Sequence, residues 1–89
     1  MDWRQDLADY DRAKAGMAQA EILLADSLAA FGAARDGAHR LQDLSPAILG
    51  VELARRRLRV RVRRFEAAEY RLTGGRPIDE VLWSLPDDP

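Results

Sequence analysis

RRRLRVRVRRFE, residues Arg55–Glu66, is the stretch whose conformation decides the fold of this chain. Its arginines are dense enough for a basic patch that binds nucleic acid. Its apolar residues, Leu58, Val60 and Val62, alternate with arginines, which is the pattern of an amphipathic β-strand. That alternation is short, so a longer pattern that includes the same residues decides between strand and helix.

The longer pattern has the period of an α-helix. Large apolar residues recur at intervals of seven at Val51, Leu58, Phe65 and Leu72, and further apolar residues flank them over residues 48–72. A seven-residue interval places side chains on one face of a helix but not on one face of a strand. The sequence therefore predicts that the arginine-rich stretch lies in the middle of a long helix.

Residues 2–44 show the same period. Large side chains recur every seven residues, and three positions after most of them lie small ones, mostly alanine. A stripe of large residues beside a stripe of small ones suits close packing against another helix. We expect an all-α fold, in which helices over residues 2–44 and 46–72 form an antiparallel, coiled-coil-like hairpin domain (residues 1–72), and the chain forms an oligomer.

Local signals predict where the helices meet and end. Ser45 is a good N-cap, and Pro46 suits the first position of a helix because its missing N–H needs no partner there. Leu44 and Leu49 are spaced as a hydrophobic staple. After residue 72, the glycines of the Thr73–Gly75 segment can adopt the left-handed conformation that ends a helix.

The two predicted helices differ in length. At about 1.5 Å per residue they would span roughly 65 Å and 40 Å. The first helix must then either overhang the second or break. Gly32 and Gly37 mark the expected break, and Gly16 is the next candidate, because glycine is a poor helix former.

Composition indicates self-association. Alanine supplies 15 of the hydrophobic residues in a chain of 89, so large apolar side chains are few, and a small domain with a thin core often completes its burial in an oligomer. A second apolar line, Leu49, Leu53, Val60 and Ala67, lies almost opposite the first on the second helix. We expect the self-association surface to include Trp3, Tyr10, Met17, Leu24, Phe31, Val51, Leu58, Val60 and Phe65.

The last segment, residues 73–89, differs from the hairpin. A glycine pair precedes Pro77, which can open a short helix, and Pro86 ends it. A hinged, apolar helix that contains tryptophan has the form of a segment that docks in the groove of a larger protein. It can equally fold back and enlarge the core of the hairpin. The expected docking residues are Ile78, Val81, Leu82, Trp83 and Leu85.

Charge is segregated along the chain although the net charge is only −1. Residues 1–44 have a net charge of −3, residues 45–72 of +5 and residues 73–89 of −3. The arginines of the second helix are therefore expected to pair with the acidic first segment. The alternative is contact with nucleic acid, through Arg56, Arg57, Arg59, Arg63 and Arg64.

The chain shows no signature of catalysis or of cofactor binding. It has no cysteine, and its few serines, one threonine and one histidine form no recognisable catalytic motif. Asp36, His39 and Asp43 are spaced to share a helical face, but a metal site needs further ligands from a facing helix. We expect neither an enzyme nor a bound metal or cofactor.

No segment suggests a membrane or export. The start, MDWRQDLADYDR, is acidic and polar, unlike a secretory signal. The longest fully apolar run, Ile22–Ala25, is far shorter than the roughly 20 residues that span a bilayer. We expect a cytoplasmic protein with no membrane partner.

The layout of an oligomerising hairpin followed by a glycine-hinged, apolar and acidic tail resembles the small terminases, the ring-forming recognition subunits of phage-type DNA-packaging machines. The matching parts are residues 2–44 and 46–72 for the hairpin and 76–85 for the tail. The resemblance implies a ring of hairpins and a C-terminal segment that contacts the large motor subunit. Residues 1–89 lack the helix-turn-helix domain usual in that family, so independent, site-specific DNA binding is not expected.

Together these features predict a non-enzymatic assembly or adaptor subunit. It would associate with itself through its helices and dock a larger protein through its C-terminal segment, and its most concrete form is a DNA-packaging component. The alternative is a small nucleic-acid-binding protein that uses the arginine-rich helix.

Overall fold

The computed structural model describes residues 3–86 as an elongated bundle of helices. Helix α1 spans Trp3–Gly37, a 3-10 turn spans Leu41–Leu44, α2 spans Ser45–Thr73 and α3 spans Ile78–Ser84. The molecule measures 62 × 18 × 18 Å, and its radius of gyration is 18.6 Å, against about 12 Å for a compact chain of this length. The prediction of a helix through the arginine-rich stretch is confirmed, and α1 and α2 pack on each other as an antiparallel hairpin.

Helix α1 is shorter and more continuous than expected. It runs without interruption through Gly16 and Gly32 and ends at Gly37, not at residue 44. The two long helices then have 35 and 29 residues, or about 52 Å and 44 Å, so that they nearly match. Ending α1 at Gly37 removes most of the predicted overhang without breaking the helix inside the packed region.

The turn between the helices is held by a local polar contact. The backbone N–H of Arg40 donates a hydrogen bond to Oδ2 of Asp43 at 3.2 Å, and the Asp43 N–H donates to the Arg40 carbonyl at 3.0 Å. The prediction that Ser45 caps α2 is wrong. The preceding residue, Leu44, is itself helical, with φ −87° and ψ −12°, so the 3-10 turn runs directly into α2 and Ser45 is its first residue. An N-cap residue needs an extended backbone, which this junction does not offer.

The other end of α2 has the predicted glycine cap. Gly74 adopts the left-handed conformation, with φ 63°, and its N–H donates to the carbonyl of Tyr70 at 2.7 Å. Gly75 also has a positive φ, of 93°, and its N–H donates to the hydroxyl of the buried Thr73 at 3.2 Å. These two residues reverse the chain and direct α3 back onto α2.

The core lies along the line where α1 meets α2. Its buried residues are mostly small, which allows the two backbones to approach closely. Tyr10 is the largest of them, and its ring lies 5.2 Å from that of Phe65, centroid to centroid. The buried hydrophobic residues are Tyr10, Ala20, Val51, Ala54, Ala68 and Val81.

Substitution of Leu58 by Asp tests this seam. Leu58 is half-buried on the side of α2 that faces α1. A carboxylate there loses the leucine's packing and is partly desolvated, so the free energy of unfolding should fall by at least about 2 kcal/mol. Leu41→Asp is the matched control, since Leu41 is 80% exposed and its replacement should change stability by less than about 0.5 kcal/mol. Urea denaturation followed by circular dichroism measures both, and equal stabilities would contradict the seam.

Tyr10 should make stability depend on alkaline pH. Burial raises the pKa of Tyr10 above its ordinary value of 10.0, and the carboxylates of Glu69, Asp11 and Asp79 raise it further. The folded state therefore holds the phenol proton more tightly than the unfolded chain does. Its contribution to stability is complete below the unfolded pKa and is lost as the pH rises through the raised, folded value.

The comparison that checks this is the wild type against Tyr10→Phe. The free energy of unfolding should fall less for the variant than for the wild type between neutral pH and about pH 11. Tyr70, which is 67% exposed, is present in both proteins and cancels in the difference. Parallel pH profiles would show that Tyr10 is not linked to folding.

Candidate interaction site

An apolar line on α2 remains exposed outside the buried seam with α1. Leu49 is 55% exposed, Leu53 46% and Val60 46%. We call these three residues the outer ridge. By helical spacing they lie outside the buried face of α2, and Val60 also lines a groove between α2 and α1. The hairpin therefore uses one face of α2 for its own core and leaves a second apolar face without a partner among residues 3–86.

The predicted self-association residues mostly serve the fold of the single chain. Tyr10 and Val51 are buried between the helices, and the other large side chains of the two heptad rows are half-buried there. Val60 alone of the set is exposed. The half-buried members are Trp3, Met17, Leu24, Phe31, Leu58 and Phe65. The outer ridge is more exposed than these residues and is the stronger candidate for contact with a second molecule.

The arginines of α2 do not find the acidic partners that the sequence predicts. All eight are exposed, and within residues 3–86 none of them lies within 4.0 Å of a carboxylate oxygen. The ion pairs that do occur are local, Arg12–Asp9 at 3.3 Å and Arg40–Asp43 at 3.9 Å. The expected pairing between the first segment and α2 is thus wrong for the described residues. The positive charge of α2 stays available to another molecule.

Four of these arginines, Arg61 among them, line a groove between the two helices. The groove has a volume of about 420 Å³. Gly16 of α1 lies opposite Arg61, and a Cβ atom at Gly16 would lie 3.3 Å from Nη1 of Arg61, so the arginine side chain crosses α1 at its glycine. We call this the arginine groove; α1 contributes Gly16, Gln19, Ala20 and Leu23, and α2 contributes Arg56, Arg57, Val60, Arg61 and Arg64.

The predicted nucleic-acid contacts divide between two sides of the hairpin. Arg56, Arg57 and Arg64 line the arginine groove, whereas Arg59 and Arg63 line a shallow depression on the other side, with Glu66. Arg61 lines the same groove, although it was not among the predicted nucleic-acid contacts. Two features of the sequence could have identified Arg61. It is a large cationic side chain beside the apolar stripe of α2, and the facing helix has a glycine.

Helix α3 has an inner and an outer face. Val81 is only 2% exposed, so this predicted docking residue belongs to the core of the chain, and Ile78 and Leu85 are half-buried beside it. Leu82 is 42% exposed and Trp83 90% exposed. The two alternatives for the tail therefore combine: α3 folds back onto α2, and it also presents a tryptophan to solvent.

Acidic side chains accompany the exposed tryptophan. Asp79 and Glu80 are exposed and precede Trp83 by four and three residues, which places all three on one side of α3. We call Asp79, Glu80 and Trp83 the outer face of α3. A large aromatic group beside two carboxylates is suited to a surface that is both apolar and cationic.

The candidate metal ligands are not brought together. Asp36 lies in the last turn of α1, His39 follows the end of that helix, and Asp43 accepts the hydrogen bond that closes the 3-10 turn. Because α1 ends at Gly37, the helical register that would align the three side chains does not continue. Within residues 3–86 no three histidine or acidic side chains gather as a possible metal site.

Comparison with known proteins gives no relative, since no family model, curated protein or solved structure matches this chain. In the part of the chain that the structure describes, no helix has the length and apolar character to cross a membrane. The resemblance to small terminases therefore stays a prediction. The features of the structure that bear on function are the outer ridge, the arginine groove and the outer face of α3.

Proposed function

We propose that this protein is a non-enzymatic assembly subunit. It associates with copies of itself through the outer ridge, and it offers the outer face of α3 for a second contact. The observation that carries the proposal is the outer ridge, three large apolar side chains each about half exposed on one helix face. Contiguous exposed apolar residues of this kind mark interaction sites in soluble proteins.

The thin core supports the same function. Among residues 3–86 no large side chain is completely buried; the least exposed of them, Val81, is 2% exposed. Eleven large apolar residues are exposed. A chain of this size has little apolar burial with which to offset its conformational entropy. Association that covers the outer ridge would add to that burial, so folding and assembly would stabilise each other.

The most concrete form of the proposal is an adaptor subunit in a DNA-packaging machine. An elongated helical hairpin with a C-terminal helix that exposes an aromatic side chain has the layout of the small terminases, in which hairpins build a ring and a C-terminal segment contacts the motor. Trp83 and Leu82 would be the residues that reach the larger partner.

Replacement of Leu49 and Leu53 by Asp tests self-association. The wild-type mass in solution, measured by light scattering, should be at least twice the chain mass of 10.0 kDa. The double variant should keep its helicity, because both side chains are about half exposed, and should shift to the monomer mass. Leu41→Asp adds a carboxylate at an exposed leucine outside the outer ridge and should keep the wild-type mass. A monomeric wild type would contradict the proposal.

Nucleic-acid binding is the second candidate function, and the unpaired arginines of α2 favour it. Binding through phosphate contacts releases counterions, so it weakens steeply as salt increases, whereas association through apolar side chains does not. If the arginine groove holds a duplex, Arg57→Gln with Arg64→Gln should reduce the slope of log K against log salt by about 2. Arg59→Gln with Arg63→Gln is the matched control on the other side of the hairpin. Binding of a short duplex measured by fluorescence anisotropy distinguishes the two pairs.

A further inference from the structure

We propose that the arginine groove of one copy binds the outer face of α3 of a second copy. This head-to-tail contact deepens the assembly function proposed above and depends on it; it assigns the outer face of α3 to a second copy in place of a larger partner. The occupant follows from the chemistry of the groove, from the chemistry of α3, and from the fact that α3 of the same chain does not line the groove.

The groove combines an apolar floor with a cationic rim. Leu23 is 47% exposed and Val60 46% exposed on its floor, beside the buried Ala20. We call these apolar lining residues the floor of the groove and the lining arginines, Arg57 and Arg64 among them, its rim; no carboxylate lines it. A ligand that fits must carry a large apolar group with acidic groups next to it, since a bare phosphate would leave the floor uncovered.

The outer face of α3 has the complementary arrangement. Trp83 is 90% exposed, and the exposed carboxylates of Asp79 and Glu80 lie on the same side of the helix. The indole can cover the apolar floor and also receive guanidinium groups on its faces, an arrangement that stabilises arginine beside tryptophan. The net charges agree, at −3 for residues 73–89 and +5 for residues 45–72.

The α3 of the same chain does not line the groove. Val81 packs α3 against α2, and no residue of α3 is among those that line the groove. The occupant is therefore another copy. Because groove and α3 are different surfaces of each copy, the contact is heterologous and repeats until a ring closes or a filament forms.

Nucleic acid is the competing occupant of the groove. No aromatic side chain lines the groove on which a base would stack, and Arg59 and Arg63 lie on the other side of the hairpin. An acidic, aromatic helix face uses both the floor and the rim, whereas a phosphate backbone uses only the rim.

Three full-length variants test the contact. The groove variant carries Arg57→Glu and Arg64→Glu, and the tail variant carries Trp83→Ala, which removes an exposed side chain and so leaves the fold intact. The matched control carries Arg59→Glu and Arg63→Glu, the same change of charge on the other side of α2. After nuclease treatment, light scattering and sedimentation give the mass and the association constant of each, and circular dichroism verifies its helicity.

The groove and tail variants should each associate at least about tenfold more weakly than the wild type, as expected when a central aromatic or arginine contact is lost. The control should stay within about twofold of the wild type. An equal mixture of groove and tail variants should recover part of the association that each variant alone has lost. The tail variant keeps an intact groove and the groove variant keeps an intact α3, so the mixture restores one contact.

Three results would overturn the inference: wild-type mass in both variants, an equal loss in the control, or no recovery of association in the mixture. Loss of DNA binding by the groove variant with wild-type mass would assign the groove to nucleic acid instead. A monomeric wild type would remove the proposed function as well. An oligomer that depends on Leu49 and Leu53 but not on Arg57, Arg64 or Trp83 would remove only the head-to-tail contact.

Discussion

The packing of α1 on α2 through small residues is the constraint on which the rest of the structure depends. Ala20, Ala54 and Ala68 are buried along the seam, and they allow the two helices to approach closely over most of their length. The tilted rings of Tyr10 and Phe65 form the one aromatic pair among the described residues. A seam of alanines aligns the helices well but buries little apolar area, so the hairpin is long and thin and its core is shallow.

This shallow core determines what the surface looks like. Once one face of α2 has been used against α1, the remaining large apolar residues of that helix have nothing to cover them within residues 3–86. The outer ridge of Leu49, Leu53 and Val60 is the result. Arginines on either side of it cover part of the apolar surface with their aliphatic stems while their charged ends stay in water. An exposed apolar line flanked by cationic side chains is suited to binding another molecule.

Positive and negative charges lie on separate parts of the molecule. The acids of α1 lie too far from the arginines of α2 to form ion pairs, and Asp9 and Asp43 instead pair with arginines three residues away in sequence. The positive charge of α2 is therefore not neutralised locally. The acidic charge of α3 stands at one end of the molecule, next to the exposed Trp83. Opposite charges at separate places on one chain favour contacts between chains over contacts within one.

The amino-acid sequence alone determined the helical class of the arginine-rich stretch, because a seven-residue period over residues 48–72 outweighs a short alternation. It also determined the left-handed cap at Gly74, because glycine there has no Cβ to oppose a positive φ. It did not determine the role of Ser45, and it left Gly32 and Gly37 as alternatives for the break of the first helix, of which the structure uses Gly37. The end of α1 and the start of α2 depend on where the chain turns between the two packed helices. That position is a property of the packed pair and not of either helix alone.

The candidate interaction residues were likewise determined partly by the sequence and partly by the tertiary structure. Sequence identified Trp83 and the arginines as candidates for binding, but only the tertiary structure placed Val81 inward and Trp83 outward on the same short helix. Likewise, only the packing of α1 on α2 separated Arg57 and Arg64 from Arg59 and Arg63 and brought Arg61 across Gly16. Periodicity fixes which residues share a face of a helix. Which face is covered, and by what, depends on the position of the neighbouring helix, and the pattern of a single segment does not contain that information.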